Sequence, residues 1–96
     1  MRNYTQFYID GQWVDPVSAK TADVINPATE AVSGTISLGT AADVDIAVAA
    51  ARRAFASWSQ TSVKERLDLL RAIQAEYAAR MQEMGEAVTD EMGAPL

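Results

Sequence analysis

The sequence predicts an α+β chain in which a β-hairpin and short strands come first and two or three α-helices follow. An Asp-Gly pair stands between two β-prone runs near the start, which is typical of a tight hairpin. Apolar and polar residues then alternate as in a strand over residues 32–38. Two capping-box spacings follow, and each precedes a stripe of apolar residues at helical spacing.

Residues 6–14 are predicted to form the hairpin. Asp10-Gly11 suits a two-residue type I′ turn, because both central residues of that turn need positive φ. This loop length sets the register, so Tyr8 faces Trp13 as a cross-strand aromatic pair. The other face also carries apolar side chains, those of Phe7, Ile9 and Val14. Since both faces are apolar, the hairpin must lie against other elements.

Two further strands are predicted near residues 23–26 and 32–38. Asn26-Pro27 ends the first of them, because proline has no N–H to donate and restricts the residue before it to extended geometry. Asparagine at the first position and proline at the second favour a type I turn through Ala28 and Thr29.

A helix is predicted over about residues 41–58. Thr40 and Asp43 have capping-box spacing, so the hydroxyl can cap the helix and the carboxylate can reach back. An apolar stripe follows at spacings of four and three: Val44, Val48, Ala51, Phe55 and Trp58. Alanines fill much of the remaining surface, which predicts dense packing. Phe55 and Trp58 are therefore interpreted as core residues and not as ligand-binding residues.

A longer helical region is predicted over about residues 63–92. Ser62 and Glu65 repeat the capping-box spacing at its start. A helix of that length is long for a globular protein, so a break is expected near residues 80–82. Glycine and proline in the segment 93–95 predict its end and lead toward a next element.

Composition bounds the function. The 96 residues include 8 basic and 13 acidic residues, giving a net charge of −5, which disfavours nucleic acid as a partner. The apolar runs are too short to cross a bilayer and the N-terminus lacks the pattern of a signal peptide, so the expectation is a cytoplasmic protein. Cysteine and histidine are absent, which excludes thiol nucleophiles, histidine-based triads and the usual zinc sites.

Other candidates for chemistry are weak. The five glycines are scattered and form no phosphate-binding loop. Several carboxylates could be imagined as acid–base or metal pairs, but each is explained by capping or by a solvated helix face: Asp43, Asp45, Glu83, Glu86 and Asp90. The residues themselves indicate no active site.

The order of the segments resembles the N-terminal portion of NAD(P)-dependent aldehyde dehydrogenases. The likeness runs from about Phe7 to Leu96 through "FYIDGQWV", "VINPATEAVSGTI", "DVDIAVAAARRAFASWSQTSVKERLDLLRAIQAEYAAR" and "DEMGAPL". Each segment alone is common, but their fixed order is much more specific. One departure is Glu30, where the family often has glycine.

The resemblance implies an α/β parent fold, of which this chain would be an α+β part of the cofactor-binding domain. In that family a cysteine thiolate attacks an aldehyde, hydride passes to NAD or NADP, and a glutamate-activated water releases the acid. All these residues, and the cofactor-binding turn, correspond to positions beyond the matched portion. No catalytic or cofactor-binding residue is therefore carried onto this sequence, and no cofactor is expected to bind this chain alone.

One minor metal site follows from the same resemblance. In some members, backbone carbonyls just before the Asn-Pro turn help to bind a structural monovalent cation, and the matching positions are Val24 and Ile25. Ordinary strand carbonyls are the favoured interpretation of these two groups.

Two functional hypotheses remain open at this point. In the first, the chain is a truncated or fragmentary aldehyde dehydrogenase whose partner is the remainder of the enzyme chain. In the second, it is a non-catalytic structural module that associates with itself, because uncovered apolar surfaces drive assembly.

Overall fold

In the computed structural model, which describes residues 2–96, five short strands precede three helices. The strands are β1 (Arg2–Tyr4), β2 (Phe7–Ile9), β3 (Gln12–Val14), β4 (Thr21–Ile25) and β5 (Val32–Ser37). The helices are α1 (Ala41–Trp58), α2 (Val63–Ala79) and α3 (Met81–Met92). This is the α+β order that the sequence predicts.

The hairpin has the predicted register. In the antiparallel pair of β2 and β3, Tyr8 lies opposite Trp13, and their ring centroids are 5.1 Å apart. Asp10 and Gly11 form the tight turn with φ of 56° and 72°. The ring of Phe7 lies beside Gly39, so the face opposite the aromatic pair points toward the rest of the chain.

A three-stranded sheet has the order β1-β5-β4. Strands β4 and β5 are antiparallel, and β4 starts at Thr21, two residues before the predicted strand. Strand β1 was not predicted from the sequence; it pairs in parallel with β5 and places Arg2 beside Gly34. A three-residue strand whose partner lies about thirty residues away has no local signature, because its hydrogen bonds all depend on the fold.

The turn between β4 and β5 is one residue longer than predicted. The Glu30 N–H donates to the Asn26 carbonyl at 2.8 Å, so the bond spans four residues and not the three of a type I turn. The Asn26 side chain accepts from the Ala28 N–H at 2.9 Å. Glu30 then adopts a left-handed conformation with φ of 60°. That backbone geometry favours glycine, which is the residue that the similar family often has at this position.

The helix ends follow the local sequence chemistry. Ser62 accepts from the Glu65 N–H at 3.1 Å, and the Glu65 carboxylate accepts from the Ser62 N–H at 3.0 Å. The break between α2 and α3 lies at Arg80, which has non-helical φ and ψ of −115° and 18°. Gly93 ends α3 in the left-handed conformation and donates its N–H to the Thr89 carbonyl at 2.9 Å.

The elements form a thin layer with almost no core. The molecule measures 48 × 35 × 15 Å, so its thickness is little more than one helix diameter. Ala50 is the one hydrophobic residue among the described residues that is buried. The predicted core role of Phe55 and Trp58 is wrong for this chain alone, since their side chains are 67% and 47% exposed. The reason is that no described element lies over that face of α1.

Candidate functional site

Val24 and Ile25, the candidate cation ligands, lie at an irregularity in the sheet. Val24 pairs with Gly34 while Ile25 pairs with Val32, so Ser33 is an extra residue on β5, as in a β-bulge. The Ser33 hydroxyl donates to the Val24 carbonyl at 3.2 Å. One of the two carbonyls therefore already has a partner, and two oxygens are too few to coordinate a cation by themselves.

A small cavity of about 40 Å³ lies beside this bulge, between β1, β5 and the end of α3. Arg2 crosses it and pairs with Asp90, with Nη1 and Oδ2 3.0 Å apart. The cavity has room for a few water molecules and is too small for an organic substrate.

Gly34 makes the close approach of β1 possible. A Cβ atom at this position would overlap the carbonyl oxygen of Arg2. Gly34 is buried on the central strand β5, and the atoms that a Cβ would meet belong to the backbone of the neighbouring strand β1. Glycine is needed here because it has no side chain to separate the two strands.

Asp43 is the most highly connected carboxylate of the chain. Its Oδ1 accepts from the Val17 N–H at 2.9 Å, and its Oδ2 accepts from the Thr40 N–H at 2.9 Å and from the Thr40 hydroxyl at 3.1 Å. The side chain is only 6% exposed. The bonds from the Val17 and Thr40 N–H groups lower the pKa of Asp43 below its ordinary value of 3.8. Asp43 thus joins the loop before β4 to the start of α1.

Other candidate carboxylates also have structural partners. Glu83 pairs with Arg80 at 2.8 Å, and the hydrogen bond from this guanidinium lowers the pKa of Glu83. Glu86 accepts from Gln82 at 3.1 Å. Within residues 2–96, no cluster of three or more acidic, cysteine or histidine side chains could hold a metal ion. The carboxylates of Glu83 and Glu86 therefore have partners within α3 or at its start.

The N-termini of α1 and α2 are unsuited to phosphate. Such sites use free N–H groups at the positive end of a helix. At α1 the carboxylate of Asp43 lies over the first turn, and at α2 that of Glu65 accepts from the Ser62 N–H. A negative side chain thus covers the first turn of each of these two helices.

The apolar side of α2 is the largest unexplained feature. Every residue of this helix is exposed. We call five large apolar residues on one side of this helix the α2 stripe: Val63, Leu67, Leu70, Ile73 and Tyr77. Their exposed fractions run from 43% at Leu67 to 73% at Val63. Large apolar side chains exposed along one side of a helix indicate a surface that packs against other protein residues.

Arg66 fixes the corner between α1 and α2. Its guanidinium donates to the Thr61 hydroxyl at 2.9 Å and to the Ser59 carbonyl at 3.4 Å. It also lies 6.0 Å from the ring centroid of Trp58. A positive charge at the end of α1 complements the helix dipole, so the same side chain stabilises one helix and orients the next.

Comparison with known proteins identifies the type of chain to which these elements belong. The sequence profile of the aldehyde dehydrogenase family matches residues 13–96. A 3-succinoylsemialdehyde-pyridine dehydrogenase from a Pseudomonas species is 56% identical over all 96 residues, which are 20% of that relative's length.

Solved structures show the same backbone. An aldehyde dehydrogenase from Bartonella henselae superposes with a TM-score of 0.97 at 42% identity, covering 99% of this chain and 20% of that one. A Mycobacterium tuberculosis aldehyde dehydrogenase, solved with NAD+, gives a TM-score of 0.91 at 35% identity, covering 97% of this chain and 20% of that one. The chain thus spans about one fifth of the length of the relatives it matches, and each strand and helix has a counterpart in a longer protein.

Proposed function

The chain belongs to the aldehyde dehydrogenase family, and from this premise we propose that it is a scaffold segment of a cytoplasmic, NAD(P)-dependent aldehyde dehydrogenase. The segment contributes part of the cofactor-binding domain and no catalytic group. The single observation that carries this proposal is the fit of the whole backbone onto one fifth of a longer dehydrogenase.

The chemistry of the residues supports the same assignment. A thiolate nucleophile needs cysteine, and the 96 residues contain none. Nucleotide phosphates often bind at free N–H groups of a helix N-terminus, and the carboxylates of Asp43 and Glu65 cover the N-termini of α1 and α2. Oxidation of an aldehyde to a carboxylic acid, with NAD or NADP as the hydride acceptor, is therefore proposed for the complete enzyme and not for this segment alone.

The first test of this proposal is a chimera. The matching segment of the 3-succinoylsemialdehyde-pyridine dehydrogenase is replaced by these 96 residues, which are 56% identical to it. We expect the chimera to fold and to reduce NAD(P) in the presence of the relative's aldehyde. A chimera that is insoluble or inactive, while the unmodified relative made in the same way is active, would overturn the scaffold proposal.

The second test concerns cofactor binding by the chain itself. Calorimetric titration of the purified 96-residue chain with NAD and with NADP is expected to give no saturable isotherm. A saturable isotherm with either nucleotide would contradict the statement that the segment lacks a cofactor site.

A self-associating module is the second candidate function. Its support is the thin shape of the molecule, which is 15 Å deep and leaves the α2 stripe uncovered. Light scattering on the purified chain separates the candidates. A stable monomer at micromolar concentration contradicts self-association, and a defined oligomer favours it.

The monovalent cation site at the Val24 and Ile25 carbonyls is a further, separate proposal. Its support is the β-bulge at Ser33, which disrupts the regular ladder opposite these two residues. The two carbonyls would need additional oxygen ligands from other parts of a complete enzyme. Thermal melting of the chimera in potassium chloride and in tetramethylammonium chloride tests it, since equal midpoints in the two salts would exclude a stabilising cation.

A further inference from the structure

We propose that the α2 stripe is a docking surface for the remaining part of a dehydrogenase, and that docking does not need a covalent connection. The 96-residue chain would then assemble in trans with a separate dehydrogenase polypeptide that lacks the matching segment. This inference rests on the proposed function and adds to it the surface that makes the contact and the partner that fits it.

The amount of uncovered surface is the first argument. The chain exposes 7603 Å², whereas a compact monomer of 10.4 kDa exposes about 5,400 Å². The excess is about 2,200 Å², well above the roughly 800 Å² that each partner contributes to a standard interface. The radius of gyration of 17.1 Å also exceeds the ~12.5 Å expected for a compact chain of this length. Covering this surface needs a large partner.

The shape of the molecule restricts what the partner can be. A stable domain consists of two or more packed layers, and this chain is one layer 15 Å thick. Apolar side chains also lie exposed on separate elements, with Tyr8 and Trp13 on the hairpin, Phe55 on α1 and Leu70 on α2. One two-fold contact between two copies covers a single patch. A larger fold that surrounds the layer covers several.

The charge of α2 suits an apolar contact. This helix has three basic and three acidic residues, so its net charge is zero and the net charge of −5 lies elsewhere in the chain. Asp68 pairs with Lys64 at 2.8 Å and with Arg71 at 3.6 Å. Because these three charges are paired within the helix, they keep their partners when the stripe is covered. A second copy would instead bring two chains of charge −5 together.

The conformation of the chain identifies the partner class. Its backbone fits a segment of a fivefold longer dehydrogenase with a TM-score of 0.97. The uncovered stripe is thus already in the arrangement that this segment has within the longer protein, and docking needs no large rearrangement. A partner that meets a surface already in its bound form loses less conformational entropy on binding.

The test is co-expression with a truncated relative. The 3-succinoylsemialdehyde-pyridine dehydrogenase is produced without its matching segment, together with the tagged 96-residue chain. Size-exclusion chromatography with light scattering is expected to show a soluble complex with one copy of this chain for each truncated polypeptide. The absence of a soluble complex overturns the inference.

Two substitutions locate the surface. Ile73→Asp places a charge in the stripe and is expected to weaken the complex about tenfold or more, since a carboxylate would be buried against apolar atoms. Ala72→Asp adds the same charge on the opposite side of α2 and is the matched control, expected to leave the complex intact. Circular dichroism of the two free chains should agree, because both positions are exposed. Equal complex formation by the two variants would exclude the α2 stripe as the docking surface.

The chimera described above distinguishes a failure of the docking proposal from a failure of the scaffold proposal. If the chimera is active and the separate chains form no complex, docking in trans is wrong while the scaffold proposal stands. If the separate chains form a stripe-dependent complex and the chimera is inactive, the scaffold proposal fails and the docking surface stands. A stable homodimer of the 96-residue chain that excludes the truncated dehydrogenase would also overturn the docking proposal.

Discussion

The strand region, residues 2–40, and the helical region, residues 41–92, are held together in different ways. In the strand region, contacts join residues that are far apart in sequence. Arg2 lies beside Gly34, and the Ser37 hydroxyl donates to the Thr5 carbonyl at 2.6 Å. In the helical region, most of the polar contacts are local, such as Lys64 with Asp68 at 2.8 Å, and two ion pairs, Arg2 with Asp90 and Arg53 with Asp10, join it to the strand region.

This difference shows in which region the contacts within the chain determine how the elements are arranged. Long-range contacts fix the strand region relative to the start of α1, because the Asp43 carboxylate binds backbone groups on both sides of the sheet segment. Local contacts fix only the length and direction of each helix. They do not decide what lies on the apolar side of α2, which no other described element covers.

Gly34→Ala should be the most destabilising substitution, and it should act on the strand region. The added methyl group would overlap the Arg2 carbonyl oxygen, so β1 has to separate from β5. We expect a loss of about 3 kcal/mol, at the upper end for overpacking. Amide hydrogen exchange should show lost protection in the strand region and unchanged protection in α2.

Gly39→Ala is the matched control for that substitution. A Cβ at Gly39 would meet the Phe7 ring at 3.6 Å, which is ordinary contact. We expect strand protection to persist in this variant. Equal loss of protection in both variants would show that the close approach of β1 is not what Gly34 permits.

Asp43→Asn should have the next largest effect and depends on pH. The lowered pKa means that the ionised carboxylate stabilises the folded chain at pH values above 3.8, and that this contribution is lost as the pH falls through the folded-state pKa. The melting midpoint of the variant should be lower by about 10 °C at neutral pH. The difference from the parent should shrink in acid.

Melting curves of the parent and the variant, followed by circular dichroism from neutral pH to below pH 3.8, provide the measurement. Glu83 also has a lowered pKa, but it is present in both chains, so the difference between the two chains isolates Asp43. Asp45→Asn changes the same charge two residues away and should leave the midpoint nearly unchanged. A constant difference between parent and Asp43→Asn at all pH values would contradict the role of the ionised form.

Ser62→Ala should act on the helical region alone. Its hydroxyl accepts from the Glu65 N–H at 3.1 Å, and loss of such a cap costs about 1 kcal/mol of helix stability. Hydrogen exchange should accelerate in the first turns of α2 and stay unchanged in β4 and β5. Ser57→Ala, inside α1, removes a hydroxyl that caps no N-terminus and is the control. Faster exchange in the strands would mean that the two regions are coupled more tightly than their contacts indicate.

The accuracy of the sequence predictions follows the same division. The turn at Asp10-Gly11, the cap at Ser62, the break near Arg80 and the end of α3 at Gly93 lie where the residues indicate. Each depends on the conformational preference or hydrogen bonding of a few neighbouring residues. Such features are readable because the interacting groups lie within one turn of each other in sequence.

Features that depend on distant residues were not predicted. The parallel pairing of β1 with β5 joins residues about thirty positions apart, and the Val17 N–H bond to Asp43 spans 26. Burial of Phe55 and Trp58 was predicted from their helical spacing, and both are exposed. The spacing identifies an apolar side correctly, but it carries no information on which part of a protein covers that side.

Glu30→Gly should have the smallest effect, and it should stabilise the chain. A residue with a side chain loses about 1–2 kcal/mol in the left-handed conformation, and Glu30 has φ of 60°. Glycine removes that strain, but its greater conformational entropy in the unfolded chain costs about 0.5–1 kcal/mol of stability. The net gain in the free energy of unfolding is therefore about 0.5 kcal/mol. Glu30→Ala keeps the strain and should give no gain. A stabilisation of equal size in both variants would assign the effect to the lost carboxylate and not to the backbone of the turn.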